Sequence, residues 1–111
     1  PVALAIPGSK VIYTTRFTNK GDKPAGNVVI NNPIPENTVF VGGSAFGANT
    51  AITYSVNGGK SYDLPNKLKI NTPGGAERQA EPRDYTHIRW RYLGELPPGK
   101  RGEVGFRVVI K

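Results

Sequence analysis

Residues 85–110 read YTHIRWRYLGELPPGKRGEVGFRVVI, and this stretch decides the fold class. Apolar and polar residues alternate on both sides of a Pro-Gly turn, in residues 85–92 and again in residues 103–110. Alternation with a period of two is typical of β-strands that bury one face. The stretch therefore predicts a β-hairpin of the kind found in β-sandwiches, with Trp90, the only tryptophan of the chain, in its first strand.

The upstream sequence continues this pattern. Residues 10–18 alternate as well and predict a strand with Val11, Tyr13 and Phe17 on its buried face. Further short strands are predicted at residues 27–31, 38–41, 52–56, 60–62 and 67–70. Residues 2–6 form a short apolar run, and residues 71–84 are expected to be the longest irregular segment.

The pair Asn57-Gly58 gives the strongest turn signal in the chain. Asn-Gly favours positive φ at both central positions of a two-residue turn, so residues 52–56 and 60–62 are expected to form a hairpin. With seven or eight short strands and no helix of more than two turns, the 111 residues predict one all-β domain, 1–111, which is a sandwich or a small barrel. The predicted core consists of Val11, Tyr13, Phe17, Val28, Ile30, Ile88, Trp90, Val104, Phe106 and Val108.

The composition argues against an enzyme. The chain has no cysteine and one histidine, His87, which is interpreted as a structural or surface residue. Ser44 follows Gly42-Gly43 but lacks the second glycine of a G-x-S-x-G nucleophile elbow. The acids of residues 71–84 are interrupted by arginines, so they are expected to be solvated charges. No catalytic, cofactor-binding or metal-binding residue is predicted, and no apolar run reaches the ~18 residues of a membrane span.

The charge of the chain indicates one candidate binding surface. The formal net charge is +7 and the isoelectric point is near 9.9, which suits an anionic partner. Alternation in the predicted last two strands places Arg89, Arg91 and Arg107 on one outer sheet face, which Arg16 joins if its strand borders that sheet. Their guanidinium groups are candidates for binding an acidic polymer, and the alternative is that they only keep this face solvated. Nucleic acid is not expected, because Trp90 and Tyr92 point to the predicted core and are not free to stack on bases.

Several segments resemble one bacterial family. Gly8 with residues 11–22 (VIYTTRFTNKGD), residues 25–35 (AGNVVINNPIP), and residues 88–90 with 96–99 resemble, in order, motifs of the conserved-repeat domain family, domain of unknown function 11. One departure is Asn32, where the family usually carries aspartate. The resemblance implies an immunoglobulin-like antiparallel β-sandwich of Greek-key type, often repeated in tandem in exported or cell-envelope proteins.

The resemblance also implies an extracellular, periplasmic or cell-surface location, with other modules of the same or a neighbouring envelope protein as partners. The expected function is that of a non-catalytic structural or interaction module that serves spacing, display or self-association. The alternative is binding of carbohydrate or an acidic envelope polysaccharide through the basic sheet face. The exposed edges of such a sandwich also favour strand addition between copies.

Overall fold

Nine β-strands make up the regular structure of residues 6–111, the part of the chain that the computed structural model describes. The strands are β1 Lys10–Thr18, β2 Val29–Pro33, β3 Thr38–Phe40, β4 Phe46–Gly47, β5 Thr50–Ser55, β6 Lys69–Asn71, β7 Glu77–Gln79, β8 His87–Tyr92 and β9 Arg101–Ile110. Two single 3-10 turns, Pro65–Lys67 and Pro82–Asp84, are the only helical elements in this range. None of the helical segments described is long and apolar enough to cross a membrane. The apolar run of residues 2–6 lies outside the described residues, except for Ile6.

The strands form three antiparallel sheets, so the predicted all-β class is confirmed. In the first sheet, β9 is central: β1 pairs with it along one edge, and β3 and β4 share the other. In the second sheet, β8 lies between β2 and β5. A third sheet consists of β6 and β7 alone.

The predicted hairpin of the last two strands is wrong, because β8 and β9 belong to different sheets. β8 has β2 and β5 as neighbours, and β9 has β1 on one side and β3 with β4 on the other. Both edges of each strand are therefore occupied by other partners. The segment that joins them, residues 93–100, crosses from the second sheet to the first and is longer than the 2–5 residues usual for a hairpin loop.

One core joins the first two sheets. Ile88 and Trp90 of β8 and Val104 and Val108 of β9 are 0% exposed, and Phe106 is 1% exposed. The rings of Trp90 and Phe106 meet across the two sheets with centroids 6.1 Å apart. The predicted core positions of these five residues are confirmed, since a period of two directs the same alternate side chains inward whichever strand lies beside them.

The remaining predicted core residues lie nearer the surface. Val11, Phe17 and Ile30 are partly buried and pack against the core. Val28 is half-buried and precedes β2. Tyr13, in contrast, is 40% exposed, so its prediction as a core residue is wrong. Its ring stacks on Phe106 at 5.6 Å, but β1 is the edge strand of its sheet and solvent reaches the ring from the open side.

The segment after β5 also differs from the prediction. Residues 60–62 form no strand, and the chain instead returns to β5 through a single bridge between Tyr54 and Asp63. Positive φ occurs at Gly58 and Gly59, one residue later than the Asn-Gly turn requires. The Asn57 side chain explains this shift, because its Oδ1 accepts hydrogen bonds from the Ser55 hydroxyl at 2.8 Å and the Ser61 amide at 3.1 Å. Residues 71–84, predicted to be irregular, contain β7 and a 3-10 turn.

Two of the segments that cross between the sheets are tied together at Asn19. Its side-chain Nδ2 donates to the carbonyls of Lys23 at 2.8 Å and Leu96 at 2.9 Å, and its Oδ1 accepts from the Gly21 amide. Its backbone also exchanges hydrogen bonds with Gly99 and Lys100. One side chain thus connects the link from β1 to β2 with the link from β8 to β9.

Candidate binding surfaces

The three arginines predicted to form one surface lie on two different sheets. Arg89 and Arg91 are on the outer face of the sheet of β2, β8 and β5, and Arg107 is on the outer face of the sheet built around β9. The prediction of a single face with all three is therefore wrong. It depended on pairing β8 with β9, which the structure does not contain.

Arg89 already has partners within the protein. Its Nε donates to Oδ1 of Asn31, which is its register neighbour in β2, at 2.8 Å. Its guanidinium carbon lies 3.9 Å from the ring centroid of Tyr62, on the loop that follows β5. A cation over an aromatic face is attracted by the ring quadrupole, so Arg89 helps to fix this loop on the sheet. Arg91, two residues further along β8, is exposed between Val29 and Ala51.

A larger group of cations lies on the other sheet. Even-numbered residues of β1 and odd-numbered residues of β9 share the outer face, because the register pairs Lys10 with Val109 and Thr18 with Arg101. This places four exposed cations on one surface with one carboxylate, Glu103. We call it the β1/β9 basic face; its cations are Lys10, Arg16, Arg101 and Arg107.

Arg16 was predicted to join the basic face if its strand borders the sheet. β1 does border β9, and Arg16 lies on the same face as Arg107. Arg16 is paired with Glu103, its register neighbour, at 3.1 Å, and both side chains are exposed, at 83% and 48%. Exposed ion pairs contribute little to stability, so this pair is easily exchanged for a ligand carboxylate. Sequence reasoning missed Lys10 and Arg101, although the adjacent Lys100-Arg101 pair was a visible signal.

A recess of about 400 Å³ lies at the edge of this face, between Arg107 and the loop from β3 to β4. Its lining also includes Phe46, Val41 and the dipeptide Gly42-Gly43. Ser44 fixes the loop to β9: its hydroxyl accepts from the Arg107 amide at 3.0 Å and donates to the Arg107 carbonyl at 3.2 Å. The hydroxyl considered above as a nucleophile is therefore used to hold backbone groups.

A second cleft, of about 280 Å³, lies between the edge strands β1 and β2. Tyr13, Thr15, Pro33 and Phe106 are among its lining residues. Asn32 connects the two strands across it, since its Nδ2 donates to the Thr15 hydroxyl at 2.9 Å. The residue that departs from the family pattern thus acts as a hydrogen-bond donor, which an ionised aspartate at this position cannot be.

Two of the three acids of residues 71–84, Glu81 and Asp84, are paired with arginines. Arg78 binds both carboxylate oxygens of Asp84, at 2.7 and 2.8 Å. This charge-assisted pair, with a further hydrogen bond from the Glu81 amide, lowers the pKa of Asp84 from 3.8 to about 2. Arg83 contacts Glu81 at 2.9 Å. Within residues 6–111, no group of three or more His, Cys, Asp or Glu side chains is arranged to hold a metal ion.

His87 and the tyrosine pair near it have structural contacts. The Nδ1 atom of His87 lies 3.0 Å from the Thr86 hydroxyl. Tyr54 and Tyr85 stack with centroids 4.6 Å apart, and burial raises the pKa of both phenols. Both rings belong to the core cluster, so these contacts hold β5 against the segment that precedes β8.

Comparison of the chain with protein families finds no matching family, and comparisons with curated proteins and with solved structures find no match either. The resemblance to the conserved-repeat domain family therefore stays a prediction from the motifs.

Proposed function

We propose that this chain is a non-catalytic, immunoglobulin-like β-sandwich module of Greek-key type from an exported or cell-envelope bacterial protein, and that it associates with other modules. The support for the architecture is the core shared by two antiparallel sheets. The support for the location is the ordered set of motifs that resemble the conserved-repeat domain family. Its partners are then further copies of the same module or neighbouring modules of the envelope.

The observation that carries this proposal is the edge strand β1. It is nine residues long, and within the described part of the chain it pairs only with β9. It exposes large apolar side chains on both faces, with Ile12 at 55% and Tyr13 at 40%. An edge strand of this length presents unpaired N–H and C=O groups to which another strand can add, and exposed apolar side chains strengthen such pairing.

The test is sedimentation velocity over a concentration series. We expect the wild type to associate as concentration rises, and Tyr13→Lys to weaken this association because a charge at an edge opposes strand addition. Leu64→Lys is the matched control, since Leu64 is exposed to a similar degree, 46%, and lies outside β1. A wild type that stays monomeric at every concentration contradicts the proposal, as does equal weakening by both variants.

A second candidate function is binding of an acidic polysaccharide, and the β1/β9 basic face favours it. Four cations and one carboxylate lie on one sheet surface. From Arg101 to Arg107 the strand advances by six residues, or about 20 Å, which spans several residues of an extended polymer. Binding of this kind is electrostatic and weakens as salt rises.

This candidate is tested by titrating the domain with polygalacturonate at low and at physiological salt. The double variant Lys10→Ser/Arg101→Ser removes two cations of the face, and Arg91→Ser/Lys67→Ser removes the same charge elsewhere. We expect roughly tenfold weaker binding for the first variant and little change for the second. Equal loss in both means that only net charge matters, and this result refutes a defined basic face.

A further inference from the structure

The recess beside Arg107 exists because the edge of the first sheet is interrupted. β3 pairs with β9 at residues 108–110, and β4 pairs with it at residues 104–105. Between these two stretches the chain leaves the sheet, and no strand covers Arg107 on that side. The free backbone groups are satisfied instead by the Ser44 hydroxyl and by the Val41 amide, which donates to the Arg107 carbonyl at 2.9 Å.

The space left by this interruption has the size of a small-ligand site. Its volume, about 400 Å³, falls in the usual range of ~300–1,000 Å³ for such sites. Gly42 and Gly43 bring no side chains into it, and Gly43 has a φ of 79°, which favours glycine there. The hydrogen bonds to Arg107 hold the loop at a defined distance from β9, so the recess is a feature of the native structure.

Phe46 supplies one wall. It pairs with Gly105 in β9, and a methyl group at position 105 would overlap the Phe46 ring. The glycine therefore allows the ring to approach the strand closely. The side chain stays 39% exposed and lines the recess. Trp90 holds the backbone of Phe46 in place, because its Nε1 donates to the Phe46 carbonyl at 3.0 Å.

Arg107 supplies the charge. Three arginines in the described residues pair with carboxylates, namely Arg16, Arg78 and Arg83, and Arg107 is not among them. Its side chain is exposed and lines the same recess as Phe46. Its backbone is hydrogen-bonded to Ser44 on one side and pairs with Ile12 on the other. The Cα atom from which the Arg107 side chain extends is therefore held in place.

We infer that this recess binds one carboxylated pyranose, a uronate residue, of the acidic polysaccharide proposed above as a ligand; the inference rests on that second candidate function. The Arg107 guanidinium binds the sugar carboxylate through two parallel hydrogen bonds. The Phe46 ring packs against the apolar C–H face of the pyranose. The backbone amides of Gly42 and Gly43, which line the recess, donate to sugar hydroxyl groups. The rest of the basic face then binds the following units of the polymer.

The experiment is an amide-shift NMR titration with a galacturonate tetrasaccharide and, separately, with its fully methyl-esterified form. We expect the acidic tetrasaccharide to shift the amides of residues 42–46 and 107, and the ester to bind at least about tenfold more weakly because the carboxylate charge is gone. Equal binding of the two sugars overturns the inference.

Two substitutions test the two walls. Arg107→Lys keeps the charge but loses the planar fork, and we expect about tenfold weaker binding of the acidic tetrasaccharide. Phe46→Leu keeps an apolar side chain but removes the aromatic face, and we expect roughly fivefold weaker binding. Arg91→Lys, on the other sheet, is the matched control and should bind within about twofold of wild type. Thermal melting checks that every variant is folded.

The outcomes separate the two proposals. One outcome is that polygalacturonate binding depends on Lys10 and Arg101, while Arg107→Lys and Phe46→Leu bind the tetrasaccharide as wild type does. This result refutes the recess as a sugar site but supports polymer binding by the basic face. If the tetrasaccharide binds in an Arg107-dependent manner while Lys10→Ser/Arg101→Ser leaves polygalacturonate binding unchanged, the recess is a sugar site and the extended basic face is refuted. If neither ligand binds, both proposals are refuted.

Discussion

Asn19 is expected to stabilise the fold by tying together two of the segments that cross between the sheets, and Asn19→Ala tests this. The substitution removes three hydrogen bonds: the half-buried one to the Leu96 carbonyl at 2.9 Å and two exposed ones, with Lys23 and Gly21. The backbone bonds of Asn19 with Gly99 and Lys100 remain. Only the side-chain connection between the β1–β2 link and the β8–β9 link is lost.

The magnitude follows from these three bonds. A half-buried hydrogen bond has a net worth of about 1 kcal/mol and an exposed one of about 0.5 kcal/mol, so the free energy of unfolding should fall by roughly 2 kcal/mol. For a domain of this size that corresponds to a melting temperature lower by ~10 °C. Urea unfolding followed by tryptophan fluorescence measures the change, because Trp90 is 0% exposed in the folded protein.

Asn19→Asp sharpens the test. Aspartate keeps the acceptor for the Gly21 amide but places a carboxylate where Nδ2 now faces two carbonyl oxygens. At neutral pH the free energy of unfolding of Asn19→Asp should therefore lie further below that of wild type than the value for Asn19→Ala does. This difference from wild type should shrink below about pH 4, because the carboxyl group is then protonated and can donate a hydrogen bond. Lys20→Ala, an exposed neighbour, should change stability by less than about 0.5 kcal/mol. A loss for Asn19→Ala no larger than for Lys20→Ala refutes the connection.

Four other substitutions have defined outcomes. Trp90→Ala should cost about 3–5 kcal/mol in urea unfolding, because it empties a fully buried site, and a melting temperature within a degree or two of wild type contradicts the core assignment. Gly47→Ala should cost about 1–3 kcal/mol, since the new methyl group lies 2.8 Å from a Val104 methyl carbon, whereas Gly26→Ala, with no atom within 4 Å, should be close to neutral. Asp84 has a folded pKa below its ordinary value of 3.8, so its stabilising effect is complete above that pH and lost as the pH falls through about 2. Acid unfolding should therefore show a smaller loss of stability over this range for Asp84→Asn than for wild type, and parallel curves contradict the ion pair.

Local patterns predicted the parts of the fold that depend on a strand's own periodicity. Strand β1 begins and ends at Lys10 and Thr18 as predicted, and the buried sides of β8 and β9 were assigned correctly. Alternation fixes which face of a strand is apolar, and it does so whatever strand lies next to it. The same property explains the failure at Tyr13, because periodicity cannot tell a covered inner position from one at an open edge.

Which strands pair with each other could not be predicted from local sequence patterns, because pairing depends on contacts between residues far apart in the chain. β8 and β9 carry the same alternation and follow each other along the chain, yet they are the central strands of two separate sheets. Their partners are set by distant contacts, such as that of Lys10 with Val109, whose free energy depends on how all strands pack at once. Local signals near a turn do not include these contacts.

The candidate binding site also has features that the sequence predicts and features that only the tertiary structure decides. The excess of basic residues and their outward positions are properties of the sequence, and Arg107 was identified from it. The tertiary structure alone decided that Arg107 shares its face with Lys10 and Arg101 and not with Arg89, because that choice depends on which strand lies beside β9. It also decided that Phe46 lies next to Arg107, since the interruption between β3 and β4 arises only where both strands pair with the same edge of β9.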